Sequence, residues 1–175
     1  MLIRPLNVGD GPGIAAMLHL CGVFSREEIL VAMEVFGDGV ASADPGRYAL
    51  FGADDGEELR GYICVGRVPM TASTWDLYWL CIHPEARRRG VGRSLVTHGE
   101  AYVAAHGGRR LAVQTSGRPD YGPVRAFYAT MGFQLVGRIP DYFADHDDGV
   151  FYYRVLEPSG NRAVTAEGAR LRARP

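Results

Sequence analysis

One stretch limits the folds open to this chain more than any other. From Asp76 to Val96 it reads as a strand, a short turn rich in arginine and glycine, and the start of a helix. Residues 77–82 form a continuous apolar and aromatic run, the pattern of a strand covered on both faces. Pro84 ends it, because proline has no N–H for a sheet ladder. Residues 87–92 then turn the chain. Gly90 and Gly92 lack a Cβ, so backbone N–H groups there can approach an anion closely. A helix starting near Arg93 adds unpaired N–H groups and the positive end of its dipole. Arg87, Arg88, Arg89 and Arg93 add full charges. Together these residues make a pyrophosphate cradle. No Gly-Lys-Ser/Thr follows, which excludes a Walker A loop. The third glycine of the dinucleotide fingerprint is missing as well.

Arg87, Gly90 and Gly92 fit the pattern Arg/Gln-x-x-Gly-x-Gly, placed after a Leu-x-Ile strand end at Leu80 and Ile82. This pattern resembles the GNAT acetyltransferases, and the resemblance spans roughly residues 1–156. It implies an α/β single-domain GNAT fold: a mixed, mostly antiparallel sheet with a V-shaped split between two parallel central strands, and helices on both faces. It implies acetyl-CoA as cosubstrate, held by Leu80, Cys81, Ile82, Arg87, Arg88, Arg89, Gly90, Val91, Gly92, Arg93 and Ser94. It also implies a bulge in the strand, which frees a backbone N–H near Cys81 or Ile82 to polarise the thioester carbonyl.

At 175 residues the chain suits one domain with one sizeable core. We expect a domain over residues 1–156 and a polar, flexible tail over 157–175, carrying Arg162, Arg170, Arg172 and Arg174. The net charge of −1 provides no basic field for nucleic acid or an acidic membrane. There is no signal peptide or membrane-length apolar run, so the cytosol is the default location. Cys21, Cys64 and Cys81 form no CxxC pair and read as plain buried thiols. The five histidines lack HxH or HExxH spacing, so no metal site is expected. His83, at the strand end, reads as structural.

In chain order, residues 2–6 open a strand, and residues 14–20 form a helix stopped by Gly22. Ser25 and Glu28 make a capping box for a second helix, with Phe24 and Ile29 as its staple and Gly37 as its end. Residues 47–53 and 59–68 form a hairpin. A helix over 93–105 leads to a strand over 110–115, parallel to the first through a right-handed crossover. Residues 124–131 are helical. Residues 133–139 and 150–156 form a last hairpin around an acidic loop at 140–149.

Ala126-Phe127-Tyr128 followed by Gly132-Phe133 resembles the family's second signature. That resemblance implies that Tyr128 protonates the departing thiolate. The position where many members carry a pantetheine-binding asparagine is Tyr121 here. The match to a glutamate in histone-modifying relatives makes Asp76 the candidate base, acting through water; the alternatives are a structural Asp76, capping the strand or pairing with an arginine, and loss of the amine's proton to solvent with no base needed. The other place where relatives carry a base is close to Ala112, which cannot serve, and Gln114 accepts no proton at neutral pH. Direct transfer needs only proximity and orientation, with no covalent intermediate. Asp120, Tyr121, Asp141, Tyr142 and Phe143 suit a cationic small amine. A protein or peptide N-acetyltransferase and a non-catalytic acyl-CoA sensor are the competing readings. A homodimer through the last hairpin or an exposed sheet edge is a further expectation from the family.

Overall fold

The computed structural model describes residues 1–44 and 46–156. The tail expected over 157–175 lies outside the described residues. Seven strands form one sheet in the order β1-β2-β3-β4-β5-β7-β6. They are β1 (Leu2–Pro5), β2 (Ala49–Asp54), β3 (Leu59–Arg67), β4 (Thr74–Ile82), β5 (Arg110–Ser116), β6 (Gln134–Ala144) and β7 (Asp147–Val155). Four α-helices pack on it: α1 (Gly11–Cys21), α2 (Arg26–Ala41), α3 (Val91–Ala105) and α4 (Gly122–Thr130). None of the described helices is long and apolar enough to cross a membrane.

Two apolar clusters, one on each face of the sheet, hold these layers. Ile14, Met17, Leu18, Ile29 and Phe36 of α1 and α2 pack on Leu50, Tyr62, Cys64 and Cys81. Leu95, Val96 and Val103 of α3, with Tyr128 of α4, pack on Ile63, Val65, Trp75 and Leu77. Both helix signals near the N-terminus act as the sequence implies. Gly22 ends α1 in the left-handed region at φ 69°. Ser25 Oγ accepts from Glu28 N at 3.1 Å, and Glu28 Oε2 accepts from Ser25 N at 2.7 Å.

Two boundaries differ most from the sequence reading. Helix α2 runs through Gly37 to Ala41. Gly39 faces the sheet, where a Cβ would lie 2.2 Å from Leu50 Cδ1, so this glycine permits close packing instead of ending the helix. The acidic segment 140–149 is mostly strand, with a tight turn at residues 145–146. Strand β6 is exposed along nearly all its length, so its polar side chains stay solvated while the backbone pairs with β7. Asp148 serves this ladder, pairing with Arg138 and accepting from Asp141 N at 3.0 Å.

All neighbouring strands are antiparallel except β4 and β5. These two pair only through Thr74–Arg110, Trp75–Leu111 and Asp76–Ala112. Beyond that point β4 continues along β3 to Ile82, and β5 continues along β7 to Ser116. The sheet therefore opens as a V between them. The register against β3 steps from Val65–Leu77 to Cys64–Trp79, which makes Tyr78 the extra residue of a bulge. The bulge inverts the face pattern. Trp75 and Leu77 face α3 before it, and Leu80 and Ile82 do so after it. With one edge opened, Tyr78, Trp79, Leu80 and Ile82 are only partly buried, against the sequence reading of a strand covered on both faces.

Candidate active site

The V-shaped opening is a cleft of about 670 Å³. Its floor is the free edge of β4 from Leu77 to Ile82. Val113 to Ser116 of β5 form one wall, and Val124, Phe127 and Tyr128 of α4 continue it. The turn between β4 and α3 closes one end with Arg87, Arg88, Gly90, Gly92 and Arg93.

The turn owes its shape to backbone conformation. Gly90 has φ 84° and Arg88 has φ 60°, both in the left-handed region. Helix α3 begins at Val91, so its first N–H groups lack helical acceptors at the mouth of the cleft. Val91 itself is buried in the α3 cluster. Arg89 and Ser94 are exposed and are not among the residues lining the cleft. His83 accepts from Glu85 N at 3.3 Å and so caps the short helical turn before Arg87, a structural role.

Beyond its short pairing with β5, the free edge of β4 presents unpaired backbone groups to the cleft. His83 N donates to Arg60 O of β3 at 2.9 Å. Strand alternation directs the Cys81 N–H to β3 also, and turns the N–H groups of Leu80 and Ile82 toward the opening, where β5 has diverged. The available donors are thus Leu80 and Ile82, while the Cys81 N–H belongs to the ladder.

Tyr128 is 4% exposed and lines the cleft. Its ring is held by Phe127, Phe133 and Tyr152 at centroid distances of 5.5, 5.5 and 6.2 Å. Burial pushes its hydroxyl well above the usual tyrosine range, so it is protonated throughout the neutral range. Asp76 stands apart. It is the last β4 residue paired with β5, opposite Ala112, and is half-buried. Burial raises its carboxyl above the usual range. It is not among the cleft-lining residues, which begin at Leu77.

The rest of the cleft lining is largely aromatic and polar. Val23, Phe24 and Glu28 come from the α1–α2 connection and α2, Tyr78 and Trp79 from β4, and Asp120 and Tyr121 from the β5–α4 loop. Phe143 and Asp147 come from the last hairpin, whereas Asp141 and Tyr142 lie outside the cleft lining. Tyr121 donates its hydroxyl to Val23 O at 3.2 Å, bridging the two loops. Arg118 stacks over the Tyr121 ring at 5.1 Å and pairs with Asp120 at 2.9 Å. Asp147 accepts from Ser116 Oγ at 2.5 Å and from Gly117 N at 3.2 Å. Trp79 Nε1 is buried and has no hydrogen-bond partner among the described residues. Phe24, Glu28, Trp79 and Asp147 escaped the sequence reading. Their approach is purely tertiary, and no local spacing marks it.

The cysteines are not all plain buried thiols. Cys64 is, and burial pushes it up to about 12. Cys21 and Cys81 both line the cleft, with their Sγ atoms 2.8 Å apart. The hydrogen bond with Cys81 draws the Cys21 thiol down to about 6 against its burial, and the neighbouring Arg87 adds to the effect. Cys81 moves in the opposite direction and keeps the proton.

A mixed sheet split at its one parallel pair, with a glycine-hinged arginine turn and a helix N-terminus at the mouth, defines a CoA-dependent acyltransferase. The chain belongs to the GNAT family: the family model described as acetyltransferase (GNAT) family matches residues 20–133. A solved structure from Desulfovibrio desulfuricans, described as a GNAT-family acetyltransferase, superposes with a TM-score of 0.85 at 29% identity, covering 89% of this chain and 99% of that one. The ribosomal-protein-S18-alanine N-acetyltransferase of Escherichia coli has the same fold, with a TM-score of 0.72 at 16% identity over 94% of this chain and 99% of that one. An aminoglycoside 6'-N-acetyltransferase from Enterococcus faecium gives 0.72 at 18% identity over 90% and 98%. No curated protein matches the sequence.

Proposed function

We propose that the protein transfers an acetyl group directly from acetyl-CoA to the amine of a small cationic or amino-acid-like acceptor. The observation that carries this reading is the lining of the cleft: the arginines of the turn between β4 and α3, the edge of β4 that β5 has left, and aromatic and acidic side chains from the α1–α2 connection, the β5–α4 loop and the last hairpin. Arg87, Arg88 and Arg93, with the N–H groups at Gly90–Gly92, hold the pyrophosphate. The pantetheine arm runs along the free edge of β4. The N–H groups of Leu80 and Ile82 polarise the thioester carbonyl, where negative charge grows as the amine attacks. Tyr128, protonated at neutral pH, gives its proton to the departing thiolate. Asp76 accepts the amine's proton through water, since its carboxylate does not reach the cleft itself.

Glu28 attracts a cation to the acceptor region, where Asp120 and Asp147 already pair with Arg118, and Phe24, Trp79, Tyr121 and Phe143 offer ring faces for it. The test is thiol release from acetyl-CoA with polyamines, aminoglycosides, amino acids and short peptides. Release with compact cationic amines is the expected result. Release confined to peptides would overturn the acceptor assignment. Acetyl-CoA binding without release on any amine would favour a sensing module.

A further inference from the structure

Cys21 ends α1 and Cys81 lies in β4, 60 residues further along the chain, yet their sulfurs touch at 2.8 Å. Both residues are buried, Cys21 at 8% and Cys81 at 2% exposure, yet both border the cleft, which opens to solvent. Their other neighbours hold them in place. Cys21 Sγ lies 3.4 Å from Ile82 O, Cys81 Sγ lies 4.0 Å from Met17 O, and the Arg87 guanidinium donates to Cys21 O at 3.4 Å. Closing this contact to a covalent bond of about 2.05 Å needs less than an ångström of movement. Cys64 belongs to the same apolar cluster but neither lines the cleft nor bonds to the pair.

We propose that Cys21 and Cys81 form a reversible dithiol–disulfide site whose oxidant is a small hydroperoxide entering through the cleft. The Cys21 thiolate attacks the terminal peroxide oxygen, the O–O bond breaks, and the departing alkoxide or hydroxide takes a proton from water. Cys21 is then a sulfenic acid. The Cys81 sulfur attacks it, the S–O bond breaks, and the hydroxide leaves with the Cys81 proton as water. The two sulfurs give up two electrons in all, and the peroxide is reduced to an alcohol or water. The bridge fixes the end of α1 to β4 and replaces the negative sulfur beside Arg87 with a neutral one. This chemistry stands independently of acyl transfer.

The test uses the full chain and hydrogen peroxide. Thiols titrated after denaturation fall from three to one, and a non-reducing peptide map shows a Cys21–Cys81 link with the loss of two hydrogens. Dithiothreitol restores all three. In Cys21→Ala, Cys81 reacts far more slowly, and Cys64→Ala leaves formation of the bridge unchanged. The proposal is overturned by three surviving thiols, by a bridge that includes Cys64, by oxidation stopping at a sulfinic acid, or by Cys81 reacting at the native rate in Cys21→Ala.

Discussion

At the scale of single residues, two side chains carry the proposed proton traffic, and they are separable. Tyr128 is packed among three rings and titrates far above neutral pH, so Tyr128→Phe keeps the packing and removes only the proton. Turnover should fall by about tenfold or more, while acetyl-CoA still protects the variant in a thermal melt. Unchanged turnover would remove Tyr128 from the mechanism. Asp76 acts only when ionised, and burial raises the pH at which it ionises. Activity should therefore rise with pH through that raised range, and Asp76→Asn should lose both this limb of the profile and much of the turnover. The same shift has a consequence for stability. A carboxyl that ionises later in the folded chain than in the unfolded one stabilises the fold least above both values. At neutral pH, Asp76→Asn should melt no lower than the native protein, and any gain should vanish in acid, where the carboxyl is protonated in both states.

At the scale of elements, the capping box of α2 shapes part of the cleft lining that the proposed function assigns to the acceptor. Ser25 holds the first turn of the helix, and that turn presents Glu28 to the cleft. Ser25→Ala should cost about 1 kcal/mol, or about 2–4 °C in melting temperature for a chain of this size. It should also weaken acceptor binding more than acetyl-CoA binding, read as separate KM values. The bulge at Tyr78 is the other decisive element. A bulge needs no special residue, so the sequence did not show that one lies there. The consequences are the inverted faces of β4 and the choice of Leu80 and Ile82 as donors. Gly66 on the neighbouring strand lies so close to Arg47 that a Cβ would come within 2.2 Å of its carbonyl oxygen. Gly66→Ala should therefore destabilise by about 1–3 kcal/mol through overpacking.

At the scale of the whole molecule, the cleft exists because two parallel strands pair for three residues and then part, each kept straight by an antiparallel neighbour. A ligand that fills the opening bridges both halves of the sheet. Acetyl-CoA at a hundred times its dissociation constant should add about 2.7 kcal/mol to stability, visible as a raised melting temperature. Arg87→Glu should fold normally, because the side chain is exposed, and should lose most of that protection.

The sequence by itself determined the strand–turn–helix cradle, the capping boxes and most element boundaries, because these depend on local chemistry. Proline stops a ladder, glycine admits positive φ, and a serine and a glutamate three residues apart satisfy a helix end. The resemblance to the family pointed to Tyr128, Arg87, Arg88, Gly90, Gly92 and Arg93, which line the cleft, and to Arg89, Val91 and Ser94, which do not. Tertiary structure decided which backbone N–H groups face the opening, that Asp76 lies outside the cleft lining, and that Glu28, Trp79, Asp147 and Tyr121 line one cleft. It also decided that two cysteines 60 residues apart touch. None of these follows from spacing along the chain. Each depends on strand register and on the angle at which the sheet opens, which are set by the packing of helices on both faces.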